Sequence, residues 1–310
     1  MNQKSIREGY GDALVQLGQK HLDVVALDAD LAHATASFAF SKEFPDRFYN
    51  MGIAEQNMLC VAAGMAHSGL VPFASSFAIF AAGRGYEQIR NGICYSNANV
   101  KISGGHAGIT AFGDGGTHQC VEDLALMRVL PNIIVLSPGD YYETIRAVHA
   151  AYAHQGPVYI RICRQPFVPF LPQDVPFKIG KAVLLGEGND VAMVTTGYMT
   201  HVCLAAASIL AQEDIHATVV HLPTIKPLDE QTILEVASRC RRVITVEEHS
   251  IIGGLGEAVA SCLLGRVALN AFRRIGIEDR FGQTGSLTEL LEEYGLSETQ
   301  IAHACRAAMA

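Results

Sequence analysis

The chain has 310 residues, 49% of them hydrophobic and 17% charged, and its 23 basic and 31 acidic side chains give a net charge of -8. That length implies two domains rather than one. The acidic balance, with no basic cluster, excludes a nucleic-acid backbone as the main ligand, and the thin charge implies that part of the surface is covered by a partner.

Eight cysteines, Cys60, Cys94, Cys120, Cys163, Cys203, Cys240, Cys262 and Cys305, are scattered without a C-x-x-C pair. Reduced, buried thiols are expected. The first residues hold no apolar signal region and no uninterrupted apolar run reaches bilayer length, so a soluble, cytoplasmic protein is expected.

In chain order, residues 6–17 carry apolar side chains at helical spacing and end at Gly18, a plausible C-cap. Residues 24–28 read as a buried strand that delivers Asp28-Ala-Asp30 to its carboxyl end, where ligands bind in open α/β sheets. Residues 44–48 form a turn. Asn50-Met-Gly-Ile-Ala-Glu55 then runs into a small-residue helix over 54–68. Residues 71–77 are strand-like, with Phe77 and Phe80 close behind; 86–95 are helical and 100–103 a strand.

The segment 104–119 is glycine-rich and carries His106, Asp114 and His118. Such loops are usually functional or mobile. A helix over 121–130, a strand over 132–138, a helix over 140–154 and a last strand over 158–163 complete this unit. Alternating strands and helices of this length imply a parallel sheet.

Four prolines within 165–177 stiffen a linker and exclude helix. A second alternating unit follows, with strands at 190–196, 217–222 and 242–249, helices at 201–211 and 230–238, and Ile252-Gly-Gly-Leu-Gly256 opening another helix. The expected architecture is α/β with two domains, each a mostly parallel sheet flanked by helices: 1–165, a proline-rich linker 166–178, and 179–310.

A carboxylate at a helix start ordinarily complements the helix dipole, for a few tenths to about 1 kcal/mol. Glu55 has that plain reading. It also sits in apolar sequence that would raise a carboxyl pKa towards acid/base use, with an aromatic pair and a two-histidine loop nearby. His106 and His118 taken singly read equally well as structural histidines, and Gly113-Asp114-Gly115 as a tight turn. No metal-ligand spacing, Walker A pattern or nucleophile elbow occurs, so no metal site is expected on this chain.

Gly52-Ile-Ala-Glu55-Gln-Asn together with His106-x7-Asp114-Gly-x-Thr-His118-Gln resembles the C-terminal half of the transketolase family, over nearly the whole chain. The resemblance implies a pyrimidine-binding domain followed by a transketolase C-terminal domain. It implies thiamine diphosphate as cofactor, with Glu55 at N1′ of the aminopyrimidine, Phe77 and Phe80 packed on that ring, and Asp30 near the cofactor. It further implies that His106, Asp114 and His118 line the substrate channel and act in catalysis, and that Arg164 and Arg7 hold the phosphate of a sugar. Glu247-Glu-His-Ser-Ile-Ile-Gly-Gly-Leu-Gly is shared with 2-oxoacid dehydrogenase β-subunits.

Two positions depart from the family pattern. Leu31-Ala-His-Ala34 stands where a phosphate-binding serine is expected, and Gly83 where a third aromatic is expected. The family's diphosphate signature, Gly-Asp-Gly with an asparagine 25 to 30 residues on, is also not met, since Asn132 follows Gly113-Asp-Gly too early. The expectation is therefore a split enzyme: an N-terminal partner subunit carries Mg²⁺ and the diphosphate site, in a heterotetrameric α2β2 assembly that transfers a two-carbon ketol unit between sugars or sugar phosphates. Chemistry like that of deoxyxylulose-phosphate synthase or of a 2-oxoacid dehydrogenase β-subunit is the enzymatic alternative. An inactive scaffold or regulatory subunit is the other.

Overall fold

The computed structural model describes residues 3–309. Its first helix, Ile6–Lys20, opens with a capping box: Ser5 Oγ accepts from the Glu8 amide at 3.1 Å, and the Glu8 carboxylate accepts from the Ser5 amide at 2.7 Å. The helix does not stop at Gly18 as the sequence pattern implies. That position is a contact point, where a Cβ would lie 2.4 Å from the ring of Phe44 and 2.6 Å from that of Phe40.

The first sheet has seven strands, in spatial order Thr224–Lys226, Ile134–Leu136, Val158–Arg161, Lys101–Gly105, Val71–Phe77, Val24–Asp28 and Phe48–Asn50. The last six are mutually parallel, and Thr224–Lys226 is antiparallel to its neighbour. The strands at 24–28, 71–77, 101–105 and 158–161 are buried along their whole length, as helices on both faces of a parallel sheet require. The edge strand is a surprise. It comes from beyond the linker, so the second unit completes the first unit's sheet.

Between the 71–77 and 101–105 strands the chain is helical over more than the sequence pattern implies, and the winding is unusual. Ile79–Arg84 and Gln88–Tyr95 are both π-helical. Such turns are rare and recur at functional sites.

The second sheet orders Ala271–Ile277, Arg242–Ser250, Val191–Thr195, Ala217–His221 and Val183–Leu185, parallel except for the last. Both units are thus mostly parallel sheets flanked by helices. Within the linker Pro166–Phe167 pairs antiparallel with Lys4–Ser5, and Phe167 packs edge-on against Tyr198 of the second unit at 5.6 Å. Buried polar groups also pair across the joint. Arg161 lies 3.0 Å from Asp123 and 3.2 Å from Glu248, and His221 lies 2.7 Å from Glu143.

Seven cysteines are buried, but Cys60 is exposed, contrary to the pattern expected from its apolar neighbours. Helix Glu55–His67 buries 55, 58, 59, 62 and 63, and residue 60 falls on the opposite face. Among the described residues no helix is long and apolar enough to cross a membrane.

Candidate active site

Parallel strands deliver their following loops to one edge, and the candidate residues stand just beyond those strand ends. Asp30 follows Val24–Asp28, Glu55 follows Phe48–Asn50, Phe77 ends Val71–Phe77 with Phe80 in the π-helical segment after it, His106 follows Lys101–Gly105, and Arg164 follows Val158–Arg161. Arg7 enters from the first turn of Ile6–Lys20.

Asp30 adopts a left-handed φ of 64° and accepts from Asn50 Nδ2 at 3.0 Å at the surface. Its turn is braced from below. Asp28, fully buried, accepts from the Leu31 amide at 2.5 Å, Thr35 Oγ1 at 2.7 Å and Ser37 Oγ at 2.9 Å; burial raises its pKa against the pull of those donors.

Glu55 is the first residue of its helix, whose N-cap, Ala54, has no side chain able to accept from the first-turn amides. Only 1% of its side chain is exposed, yet its surroundings are not purely apolar. Oε2 accepts from Arg84 Nη1 at 2.7 Å, and the Arg84 guanidinium in turn lies 4.6 Å over the ring of Phe80. The sequence reading missed Arg84. Nothing in local spacing marks it, because its partner Glu55 lies 29 residues earlier in the chain.

The rings of Phe77 and Phe80 lie 5.9 Å apart and within 4° of coplanarity of orientation. His106 stacks on Phe77 at 4.0 Å, and His118 meets Phe80 edge-on at 5.4 Å. Four predicted residues therefore share one aromatic cluster.

His106 sits at φ 54° and is nearly fully buried, and its Nδ1 has no hydrogen-bond partner among the described residues. Burial first, then the charges of Arg164 and Arg7, lowers its pKa to about 3. The imidazole is neutral at physiological pH. His118 is half-buried, with Nδ1 3.0 Å from Thr117 Oγ1.

Arg7 Nη1 donates to the Ala34 carbonyl at 3.2 Å, and its buried Nε has no partner among the described residues. Burial and the proximity of Arg164 both lower its pKa. Arg164 stacks 4.8 Å over Phe112 and pairs with Asp114 at 3.5 Å, an exposed ion pair of small energetic weight. Asp114 closes the 3-10 turn Phe112–Asp114, so the Gly113-Asp-Gly segment is turned towards Arg164. Arg7 and Arg164 lie close enough to His106 for both charges to act on its imidazole, so the three side chains share one neighbourhood.

The two departures have physical consequences. At Ala34 the backbone carbonyl, rather than a hydroxyl, engages Arg7. At Gly83, which is exposed, a Cβ would meet only Ile79 Cδ1, at 3.4 Å.

The profile described as "Transketolase, pyrimidine binding domain" matches residues 2–168, and "Transketolase, C-terminal domain" matches residues 180–301. The chain belongs to the transketolase family. A Methanocaldococcus jannaschii protein provisionally described as a transketolase C-terminal section is 45% identical over 301 residues, covering 96% of this chain and 94% of that protein. A Clostridium protein named 6-deoxy-6-sulfo-D-fructose transketolase subunit is 42% identical over 299 residues, covering 96% of this chain and 92% of its own length. A solved structure described as a split gene transketolase, inactive beta4 tetramer, superposes with a TM-score of 0.90 at 45% identity and covers 99% of both chains. Within the transketolase family, this chain corresponds to the pyrimidine-binding and C-terminal domains.

Proposed function

We propose that this chain is the C-terminal subunit of a two-chain transketolase that moves a two-carbon ketol unit from a ketose to an aldose with thiamine diphosphate. The observation that carries the reading is the convergence, at one sheet edge, of a buried carboxylate, two similarly oriented phenyl rings and two histidines. These residues fit the ring end of the cofactor. Glu55 would hold the ring nitrogen of the aminopyrimidine and exchange a proton there, while Phe77 and Phe80 would pack on its face. Thiamine diphosphate, when bound, supplies the nucleophilic carbon that carries the two-carbon unit.

His106, kept neutral by burial, can exchange hydrogen bonds with a sugar hydroxyl without carrying charge. His118 and Asp114 would orient the same sugar, and Arg7 with Arg164 would bind its terminal anion. The Clostridium relative's name refers to a sulfonated sugar, and the arginine pair suits a sulfonate as well as a phosphate.

A partner subunit would carry the diphosphate and Mg²⁺. Asp114 is engaged with Arg164, and large apolar side chains flank the turn before Glu55, where Ile53 is 77% exposed and Tyr49 38%. Such exposure suits a covering chain. Two copies of each subunit would make the assembly, with one relative's homotetramer described as inactive.

The test combines this chain with an N-terminal transketolase chain, thiamine diphosphate and Mg²⁺, and follows ketol transfer from a ketose 6-phosphate and from its 6-sulfonate counterpart. Glu55→Gln is expected to lower turnover by about a hundredfold or more. Undiminished turnover by that variant, or consumption of pyruvate in place of the ketose, overturns the assignment.

A further inference from the structure

The second domain supplies none of the candidate site's side chains, yet it presses directly on the loop that bears His118. Residues 282–284 connect the second sheet to helix Leu287–Glu293 and lie against residues 115–119 of the first domain. The approach is backbone to backbone at Gly116 and backbone to side chain at Gly115 and Gly282. A Cβ built on Gly116 would fall 2.3 Å from the Gly282 carbonyl oxygen, one on Gly115 would fall 2.6 Å from Thr284 Oγ1, and one on Gly282 would fall 1.6 Å from Gln119 Oε1.

At Gly116 only hydrogen admits the contact, whereas a Cβ on Gly282 would displace the Gln119 side-chain amide and one on Gly115 the Thr284 hydroxyl. Across it Gln119 Nε2 donates to the Gln283 carbonyl at 2.9 Å, and Gln119 is 4% exposed. The turn is closed on its own side by His118 N to Gly115 O at 3.0 Å and Gln119 N to Gly115 O at 3.2 Å. Fixing Gln119 therefore fixes the residue before it. The loop's other end is clamped in the same way. A Cβ on Gly108 would fall 2.5 Å from both a carbonyl and a carboxylate oxygen of Glu248, while just past Gln119 the Ser250 amide donates to the Val121 carbonyl at 2.6 Å.

We propose that Gly282 and Gln283, acting through Gln119, are positioning residues for His118, so that the second domain sets the geometry of a site to which it contributes no reacting group. The loop is too rich in glycine to hold itself, and ordering it costs backbone entropy that the interdomain contact offsets. The inference deepens the transketolase reading and rests on it for the role of His118, but the placement of His118 can be measured without any turnover.

The experiment uses the whole chain, alone and then assembled with its partner and thiamine diphosphate. In the chain alone, Gly282→Ala is expected to raise amide hydrogen exchange across residues 113–119 by about tenfold or more, with exchange in the strand Val191–Thr195 unchanged. It is also expected to shift the His118 ring resonances and leave those of His149, on a distant helix, in place. Gln119→Met keeps the unbranched side-chain shape and removes the hydrogen bond, so it decides the matter if Gly282→Ala fails to fold.

In the assembly both variants should lower kcat by about tenfold to a hundredfold while thiamine diphosphate affinity, read by calorimetry, stays within about twofold. Unchanged exchange over 113–119 and unchanged His118 resonances overturn the proposal. So does a fall in kcat matched by an equal fall in cofactor affinity. Loosening of the loop in a chain that shows no ketol transfer with any partner sinks the functional reading alone.

Discussion

Glu55 Oε2 and Arg84 Nη1 lie 2.7 Å apart, tying the first turn of one helix to the end of a π-helical segment 29 residues further along the chain. The pair is unequal, since the carboxylate is buried and 47% of the guanidinium side chain is exposed. Arg84→Met would leave a buried carboxylate without its strongest donor, and it is expected to cost about 1–3 kcal/mol of stability. Glu55→Gln should relieve much of that cost in the double variant. Urea denaturation of the four-member cycle measures the coupling, and strictly additive losses would show that the pair does not contribute.

Phe77 and Phe80 face the same site but do different work. Phe77 is buried among packed neighbours, so Phe77→Ala is expected to cost about 3–5 kcal/mol and to cripple the fold along with the site. Phe80 is only half-buried, and Phe80→Ala should cost about 1 kcal/mol. Its loss should appear instead as weaker thiamine diphosphate binding in the assembled enzyme, by about 0.5–1.5 kcal/mol. Calorimetric titration with the cofactor, beside thermal melts of both variants, separates the two roles.

The strands were legible because short runs with almost no charge, such as Val24–Asp28 and Val71–Phe77, are buried on both faces and stand out between turn residues. The motifs at Glu55, His106 and His118 were legible because local spacing carries them. Arg84 was not, since the carboxylate it pairs with lies 29 residues earlier. Nor was the strand Thr224–Lys226, which joins a sheet built from residues more than sixty positions earlier. The contact of Gly282 on Gln119 was also invisible, because a glycine reports only that something comes close, never what.

Lys101 offers a test of buried charge away from the site. Its ammonium is fully buried against Asn99 Oδ1 at 2.6 Å and the carbonyls of Gly156 at 2.7 Å and His154 at 2.8 Å, with no carboxylate paired to it among the described residues. Burial lowers its pKa from the ordinary 10.5 to about 7. Between those values the unfolded chain binds a proton that the folded chain does not, so this group's contribution to stability rises with pH. The stability of the native chain relative to Lys101→Met is expected to increase from pH 7 to pH 9, by at most about 1.4 kcal/mol per pH unit. Urea midpoints at the two values check it, and a pH-independent difference would show that Lys101 stays charged in the fold.

The joint between the domains concentrates its charge on Arg161. This guanidinium lies between Asp123 and Glu248, at 3.0 and 3.2 Å, and also donates to the Glu248 carbonyl at 3.0 Å, with every partner buried. Tyr159 donates to the same Asp123 carboxylate at 2.9 Å. Removing the cation would strand two carboxyl groups in a dry interface, so Arg161→Met is expected to cost about 3–5 kcal/mol. Asp123→Asn/Arg161→Met/Glu248→Gln, which removes all three charges together, should recover a large part of that loss. Because Glu248 reaches the loop at Gly108, the single variant should also loosen residues 104–110 in hydrogen exchange before the sheets open. Guanidinium unfolding of the single and triple variants, followed by exchange at residues 104–110, measures both effects. A single variant as stable as the native chain would mean that the joint is held by its apolar contacts, such as Phe167 on Tyr198, and not by this cluster.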